Sequence, residues 1–160
     1  MFSFLKRQER PVKLKKFYHG DVFSIDAPAA WLQNASENNC LSVSAPFDAA
    51  AITGSSFQKE GGTLSEFARM RFSAVHECFT AIGPEQHRES NGLQMVLREY
   101  EGIWPGNRRT NLYLVAGIQL TEDVFVSLTI TTTRKEYTKN RNICDEIINS
   151  VRKTGEEQLR

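Results

Sequence analysis

The residue types that could carry chemistry in this chain gather around two histidines. His76, Glu77 and Cys78 are consecutive, and His87 follows a short distance later. Imidazole, thiolate and carboxylate groups are the ligands that zinc prefers, but zinc sites usually contain ligand pairs at close, regular spacing. The chain has neither a Cys-x-x-Cys nor a His-x-x-x-His pair, so the sequence predicts no metal site. A nucleophilic Cys–His pair stays open as an alternative, because such partners meet in space rather than in sequence.

The common motifs of enzyme active sites are missing from the sequence. Gly54-Ser55-Ser56 lacks the second glycine of a nucleophile elbow, and there is no phosphate loop or dinucleotide fingerprint. Glu99 and Glu101 share one face of a predicted strand and could form an acid–base pair. However, the strand runs toward an exposed turn, which favours ordinary solvated acids. We therefore expect a non-enzymatic protein with no catalytic residue and no cofactor.

A second hypothesis is that the protein carries a catalytic or ligand-binding site. A small enzyme or ligand-binding domain could use a cleft between sheet and helices, and its candidate residues would be His76, Cys78, His87 and Glu99.

The most unusual local composition lies at residues 100–109, where a Pro-Gly turn predicts a tight hairpin reversal. Trp, Tyr and Arg are the residue types that most often anchor protein interfaces. We expect this hairpin to bind a partner protein through Tyr100, Glu101, Trp104, Asn107, Arg108, Arg109 and Tyr113. The alternative is that Trp104 folds back and plugs the end of the sheet.

The hairpin turn lies between the first two of three consecutive strands that the sequence predicts to be antiparallel. Residues 93–101, 110–120 and 124–132 alternate apolar and polar side chains, and a period of two indicates strands with one buried face. Residues 12–18 and 22–26 predict an N-terminal hairpin, with Trp31 capping the core after it. Residues 40–44 and 50–57 predict two short strands, and residues 79–91 one irregular strand that ends near Ser90.

Two helices complete the predicted fold. Thr63 and Glu66 form the pattern of a capping box, and apolar residues at helical spacing carry that helix to about His76. A second helix is predicted over residues 138–153, where an apolar stripe runs from Ile143 to Val151. The fold class is therefore α+β, with a single antiparallel sheet of about six to seven strands packed against two α-helices.

Charge is unevenly distributed along the chain of 160 residues, whose formal net charge is +1. Residues 1–16 hold six basic side chains and one acidic one, a net charge of +5, which leaves −4 for the remainder. We divide the chain into a basic leader or edge strand (1–16), one domain (17–154) and a polar tail (155–160). The leader could touch nucleic acid or anionic lipid, but a body that is net acidic argues against a nucleic-acid-binding domain.

The cellular compartment is predicted from three features: the N-terminus, the apolar stretches and the cysteines. The N-terminus has no long apolar segment of the kind found in secretory signals, and no stretch approaches the length of a membrane span. Three cysteines, an odd number spread far apart, favour buried, reduced thiols over a disulfide framework. We expect a cytoplasmic protein without a membrane span.

The stretch from Gly20 to Trp31 resembles a known family. Its Gly-x-Phe-like strand start and Pro-x-x-Trp corner are similar to the opening of the PsbP-like α/β fold, as are Tyr100 with Gly102, the Thr-rich last strand and Ser150 in the closing helix. The resemblance covers about residues 17–153. This fold occurs in the photosystem extrinsic subunit, a Ran-binding nuclear import factor, DcrB-like lipoproteins and Eag-type chaperones of type VI secretion effectors.

The resemblance implies an α/β/α sandwich and a bacterial protein that binds other proteins. Its most concrete forms are a secretion-effector chaperone or adaptor, or an immunity protein that occludes a toxin. The partner would then be a toxin or secreted effector encoded by a neighbouring gene, and a homodimer stays open.

Overall fold

The computed structural model describes residues 12–35, 40–103 and 109–155. Within them the chain forms eleven strands, two α-helices and one short 3-10 turn, Pro46–Asp48. In chain order the elements are β1 (Leu14–His19), β2 (Phe23–Pro28), β3 (Leu32–Gln33), β4 (Leu41–Ser44), β5 (Ala50–Gln58), α1 (Leu64–His76), β6 (Thr80–Ala81), β7 (Gln86–Ser90), β8 (Leu93–Ile103), β9 (Thr110–Thr121), β10 (Val124–Thr133), α2 (Arg134–Asn149) and β11 (Arg152–Lys153).

A large antiparallel sheet forms the middle of the molecule. Its strand order is β3-β4-β5-β10-β9-β8-β6, and β7 also pairs with β8. The three central strands β8, β9 and β10 confirm the predicted meander. Their alternation also holds, since Leu97, Ala116 and Leu128 lie side by side across the sheet and are all buried.

The prediction of a single sheet is wrong. Strands β1, β2 and β11 form a separate three-stranded sheet that lies on the large one instead of extending it. The physical reason is visible at Gly54, where an added Cβ would sit 3.0 Å from Cζ of Phe23. The missing side chain leaves room for the Phe23 ring over the large sheet, and Phe23, Ile25 and Ala27 are buried there.

Each face of the large sheet has its own apolar core. On one face α2 and the small sheet cover the larger core, which includes Trp31, Ile52, Ile118 and Ile147. On the other face α1 packs chiefly against β8, β9 and β10, over a smaller core around Phe72, Tyr100 and Val115. Trp31 is buried, as predicted.

Helix α1 follows the prediction at both ends. Thr63 Oγ1 accepts the backbone N–H of Glu66 at 3.2 Å, while the Glu66 carboxylate accepts that of Thr63 at 2.8 Å. These two bonds satisfy amide groups that the first turn of a helix leaves without partners. The helix ends at His76.

Helix α2 differs from its prediction, because it runs from Arg134 to Asn149 instead of over residues 138–153. Thr133 is the last residue of β10 and also the N-cap of α2, and its hydroxyl accepts the N–H of Glu136 at 3.3 Å. A strand that passes into a helix without a loop carries no turn signal, so the helix begins four residues early. Its last predicted residues, Arg152 and Lys153, form β11.

The segment before β8 also departs from its prediction. Instead of one irregular strand, β6 and β7 pair separately with β8, and β7 ends at Ser90. No helix in the described parts of the chain combines the length and apolar character that crossing a membrane requires.

Candidate functional site

Two tyrosines of the predicted partner site lie inside the molecule. Tyr100 is fully buried beneath α1, where its hydroxyl lies 3.2 Å from Nε2 of His76. Tyr113 is buried too, and its ring centroid is 4.1 Å from that of Phe79. Burial raises the pKa of both phenols. In this arrangement neither ring is presented to a partner.

The rest of that predicted set is only partly described. Glu101 is half-buried and Arg109 is exposed. Trp104, Asn107 and Arg108 lie outside the described residues. The alternative that Trp104 plugs the end of the sheet therefore also stays a prediction. Partner binding by this hairpin stays a prediction.

The candidates for an enzymatic cleft do not come together. Strand alternation places Glu99 on the α2 side of the large sheet, whereas Tyr100, which contacts His76, faces α1. His87 lies on the edge strand β7, with Nε2 3.6 Å from a carboxylate oxygen of Glu85. Across residues 12–35, 40–103 and 109–155, no group of three or more His, Cys, Asp or Glu side chains is arranged to hold a metal ion.

Glu99 has a structural partner of its own. The Tyr137 hydroxyl of α2 donates a hydrogen bond of 2.7 Å to Oε1 of Glu99, so the expectation of a merely solvated acid is wrong. Burial is the larger cause that raises the pKa of Tyr137, and the hydrogen bond to Glu99 raises it further. Burial also raises the pKa of the nearby Cys144 thiol to about 11. A thiol with that pKa stays protonated near neutral pH and is a poor nucleophile.

The three cysteines have three different environments. Cys144 is buried, Cys40 is half-buried and Cys78 is exposed, so the expectation of buried thiols fails at Cys78. All three are free thiols. Cys40 and His19 line one groove of about 520 Å³, but the Cys40 thiol donates to the carbonyl of Leu41 at 3.4 Å. Burial lowers the pKa of His19, which favours its neutral form.

The α1 side of the large sheet is covered over only part of its width. Beyond β10, toward β5 and β4, the side chains on this side remain accessible. We call this region the open face, and it consists of Ser42, Ser44, Ala51, Thr53, Ser55, Thr129 and Thr131. Thr53 is exposed and the others are half-buried. All seven side chains are small and uncharged, in a chain whose residues are 24% charged.

A turn at one end of the open face holds an aromatic ring in solvent. Phe47, between β4 and β5, is 100% exposed. Its φ of 60° and the φ of 53° at Asp48 are both left-handed, a conformation that usually costs a non-glycine residue about 1–3 kcal/mol. The turn closes with a 2.9 Å hydrogen bond from Ala45 N–H to the Ala50 carbonyl. Two adjacent left-handed residues thus hold the Phe47 ring out in solvent.

An aromatic groove of about 440 Å³ lies at the opposite end of β5, against the first turns of α1. Phe57, Phe67 and Phe125 form its floor, and the Phe67 and Phe125 rings stack at 4.7 Å between centroids. Met70, which is 64% exposed, forms its lip. The Arg71 guanidinium lies 4.9 Å over the Phe57 ring.

The large antiparallel sheet, with α1 on one face and α2 with the small three-stranded sheet on the other, has the fold of solved PsbP-type structures. Solved structures similar to this chain include the PsbP protein CyanoP of Synechocystis sp. PCC 6803, with a TM-score of 0.60 and 12% identity over 89% of this chain and 93% of that one. LpqN of Mycobacterium tuberculosis, described as involved in cell envelope biogenesis, gives a TM-score of 0.63 and 13% identity over 89% and 91% of the two chains.

A protein of Bacteroides thetaiotaomicron gives a TM-score of 0.60 and 10% identity over 84% of this chain, which spans 46% of that longer chain. At these identities the likeness shows the fold alone. No family model matches the chain, and no curated protein matches it either.

Sequence reasoning missed the open face and Phe47 for different reasons. The Ser and Thr residues of β5 and β10 alternate clearly with apolar ones, so a signal for a polar face was present. Alternation does not tell which part of that face a helix covers. The sequence carries no signal for the exposure of Phe47, because the residue types Pro-Phe-Asp do not predict two consecutive residues with left-handed backbone dihedrals.

Proposed function

We propose that this protein is a non-enzymatic, cytoplasmic protein-binding module of a bacterium. In its most concrete form it is a chaperone or adaptor of a secretion effector, or an immunity protein that occludes a toxin. The partner is encoded by a neighbouring gene.

The observation that carries this proposal is the open face with Phe47 at its end. Small side chains allow another backbone to approach the sheet closely, and the hydroxyls on β5 and β10 can exchange hydrogen bonds with water for bonds with a partner. The hydroxyls of Ser42 and Ser44 on β4 accept the side-chain amide of Asn34. A fully exposed aromatic ring beside such a surface is the type of residue that anchors interfaces. Leu32 is 71% exposed. It pairs with Ser44 of the open face, so it extends the open face at the β3 edge of the large sheet.

The chemistry of the open face favours a protein over a nucleic acid. Nucleic-acid sites rely on Lys and Arg to neutralise phosphates, and none of the seven side chains of the open face is charged. The more specific choice of an effector or toxin rests on the resemblance carried by residues 20–31. Three free thiols support the assignment to a reducing compartment.

The test is a pull-down with the products of adjacent genes, using variants of the open face. We expect Thr53→Arg to reduce partner affinity at least about tenfold, because it places a long charged side chain in the middle of the interface. Thr138→Arg is the matched control, since Thr138 is equally an exposed threonine but lies on α2. Partner capture that is equal for both variants would contradict the proposed surface. Absence of any partner, together with a partner-independent activity, would contradict the function.

A ligand-binding role is the second candidate, and the aromatic groove favours it. Its volume falls in the range of small-molecule sites, about 300–1,000 Å³, and its lining is largely apolar. The fluorescent probe 1-anilinonaphthalene-8-sulfonate should bind the native protein there. Met70→Glu should weaken that binding, whereas Ile103→Glu, at a residue with nearly the same exposure of 63%, should not. Equal effects of the two substitutions would rule out the groove as the probe site.

A further inference from the structure

The outer side of the small sheet combines positive charge with exposed apolar groups. Leu14, Lys16 and Tyr18 alternate along β1 on the side away from the core. Leu14 is 36% exposed and Tyr18 47%, and Val12 just before the strand is also 47% exposed. We call Val12, Leu14, Lys16 and Tyr18 the outer face of β1.

The strand that carries this face is firmly attached to the protein. Phe17 and His19 alternate with the outer residues and are buried, and β1 pairs along its whole length with β2. The carbonyl of Lys13 also accepts the N–H of Ala29 at 2.8 Å. The exposed groups therefore sit on a rigid support, so a surface that binds them does not have to order the strand first.

Cations lie on and beside the outer face of β1. Lys16 belongs to this face, and Arg152 of β11 is level with Ser24 and Tyr18 in the register, so it lies on the same side. Lys13 and Lys15 are exposed on the other side of β1, at the free edge of the small sheet. The acidic residues nearby are Asp21 in the turn after β1 and Asp26, which stands opposite Lys16 in the register. Positive groups on and beside this partly apolar strand thus outnumber negative ones by four to two.

We propose that the outer face of β1 docks the protein on an anionic lipid bilayer. Lys and Arg side chains near a membrane surface are attracted by anionic headgroups. Valine and leucine can enter the boundary between headgroups and acyl chains, where tyrosine also concentrates. A nucleic acid would use the same cations but would gain little from Val12 and Leu14.

Docking through the small sheet leaves the open face available, because the small sheet lies on the opposite side of the large sheet. The bilayer would therefore concentrate the protein at a surface without occupying the surface proposed for its partner. The inference is independent of the identity of that partner.

The test is co-sedimentation of the full chain with vesicles, without any partner protein. We expect binding to vesicles of phosphatidylcholine with phosphatidylglycerol, weaker binding at high salt, and little binding to phosphatidylcholine alone. Lys13→Gln with Lys15→Gln should reduce binding about tenfold or more. The matched control, Lys135→Gln with Lys139→Gln, removes two exposed lysines from α2 and should leave binding unchanged.

A second pair of variants separates the apolar contribution from the charge. Leu14→Ser should weaken vesicle binding even at high salt, while Leu32→Ser, which removes a more exposed leucine from the large sheet, should not. Failure of the full chain to bind anionic vesicles would overturn the proposal. So would equal losses in the β1 and α2 lysine variants. Binding of an oligonucleotide without vesicle binding, abolished by Lys13→Gln with Lys15→Gln, would assign the face to nucleic acid and would also overturn it.

Discussion

Tyr137 is one of the side chains that connect helix α2 to the large sheet by a short polar contact. Its hydroxyl donates to Glu99 at 2.7 Å in a half-buried position next to Cys144. Removing one partner of a buried hydrogen bond leaves the other partner with its desolvation cost. We expect Tyr137→Phe to lower the free energy of unfolding by about 1–2 kcal/mol, measured by urea denaturation. Tyr18→Phe is the control, because Tyr18 is exposed, and an equal loss there would contradict a specific role of the Glu99 contact.

His19 makes stability depend on pH. Burial lowers its pKa below the ordinary value, so the folded state binds the proton less tightly than the unfolded chain does. The contribution of neutral His19 is therefore complete above the unfolded pKa of about 6.5 and is lost as the pH falls through that value toward the lower folded pKa. We expect wild type to lose stability on acidification from about pH 7.5 to 5.5, and His19→Gln to lose less.

The readout of that prediction is the change in unfolding free energy between the two pH values, not its level at either one. His19→Gln can be less stable throughout, because it also alters the contact of 5.1 Å between the His19 and Phe23 rings. Gln58→Ala changes an exposed side chain that carries no titratable group and should keep the wild-type pH slope. Identical slopes for wild type and His19→Gln would remove His19 as the origin.

At the same scale, Tyr100 shows where sequence reasoning stops. Its position on a strand and the side it shares with Arg98 were readable from alternation. Its burial was not, because α1 folds over that side of the sheet and brings Phe72 to 6.2 Å from the Tyr100 ring centroid. A period of two assigns residues to faces, but only tertiary packing decides which face is covered.

Among the elements, α1 lies in close contact with the sheet at Gly117. A Cβ on Gly117 would lie 2.9 Å from Cβ and 3.1 Å from Cα of Ala68, closer than packed carbon atoms tolerate. We expect Gly117→Ala to destabilise the protein by about 1–3 kcal/mol, measured by thermal and urea unfolding. Gly83→Ala is the matched control, since a Cβ there meets nothing within 4 Å. Equal stability of the two variants would mean that α1 can shift without cost.

The helices and strands also show which parts of the fold local sequence patterns predict. The capping box at the start of helix α1 and the three central strands follow from capping chemistry and alternation, and the structure has them where the sequence indicates. The start of α2 does not follow, because Thr133 serves the strand and the helix at once. The second sheet does not follow either. It depends on the Phe23 ring meeting Gly54, a contact between residues far apart in the sequence.

In the whole molecule, the two faces of the large sheet are covered unequally. One face is closed by α2 and the small sheet over an extensive core, while α1 closes only part of the other. The residues left over on the open face are small, and all but Ala51 carry a hydroxyl, so they need no cover to remain stable in water. Exposed Phe47 at the end of that face has no such explanation, because its ring gains nothing from solvent and its backbone is strained.

That combination leads to a prediction in which stability and binding change in opposite directions. Glycine adopts left-handed φ values at no steric cost, so Phe47→Gly should relieve strain at φ 60°. We expect this variant to keep or raise the free energy of unfolding, by up to about 1 kcal/mol. Because it also removes the ring, it should weaken capture of the partner at least about tenfold.

The comparison with Phe47→Tyr separates ring from backbone. Tyrosine retains an aromatic ring and the same strained position, so this variant should bind the partner nearly as wild type does and gain no stability. Leu32→Ser, on the same edge of the open face, should weaken binding without relieving any strain. If Phe47→Gly bound the partner as tightly as wild type, the strained turn would have no part in recognition. If it lost stability instead, Phe47 would contribute contacts that its complete exposure argues against.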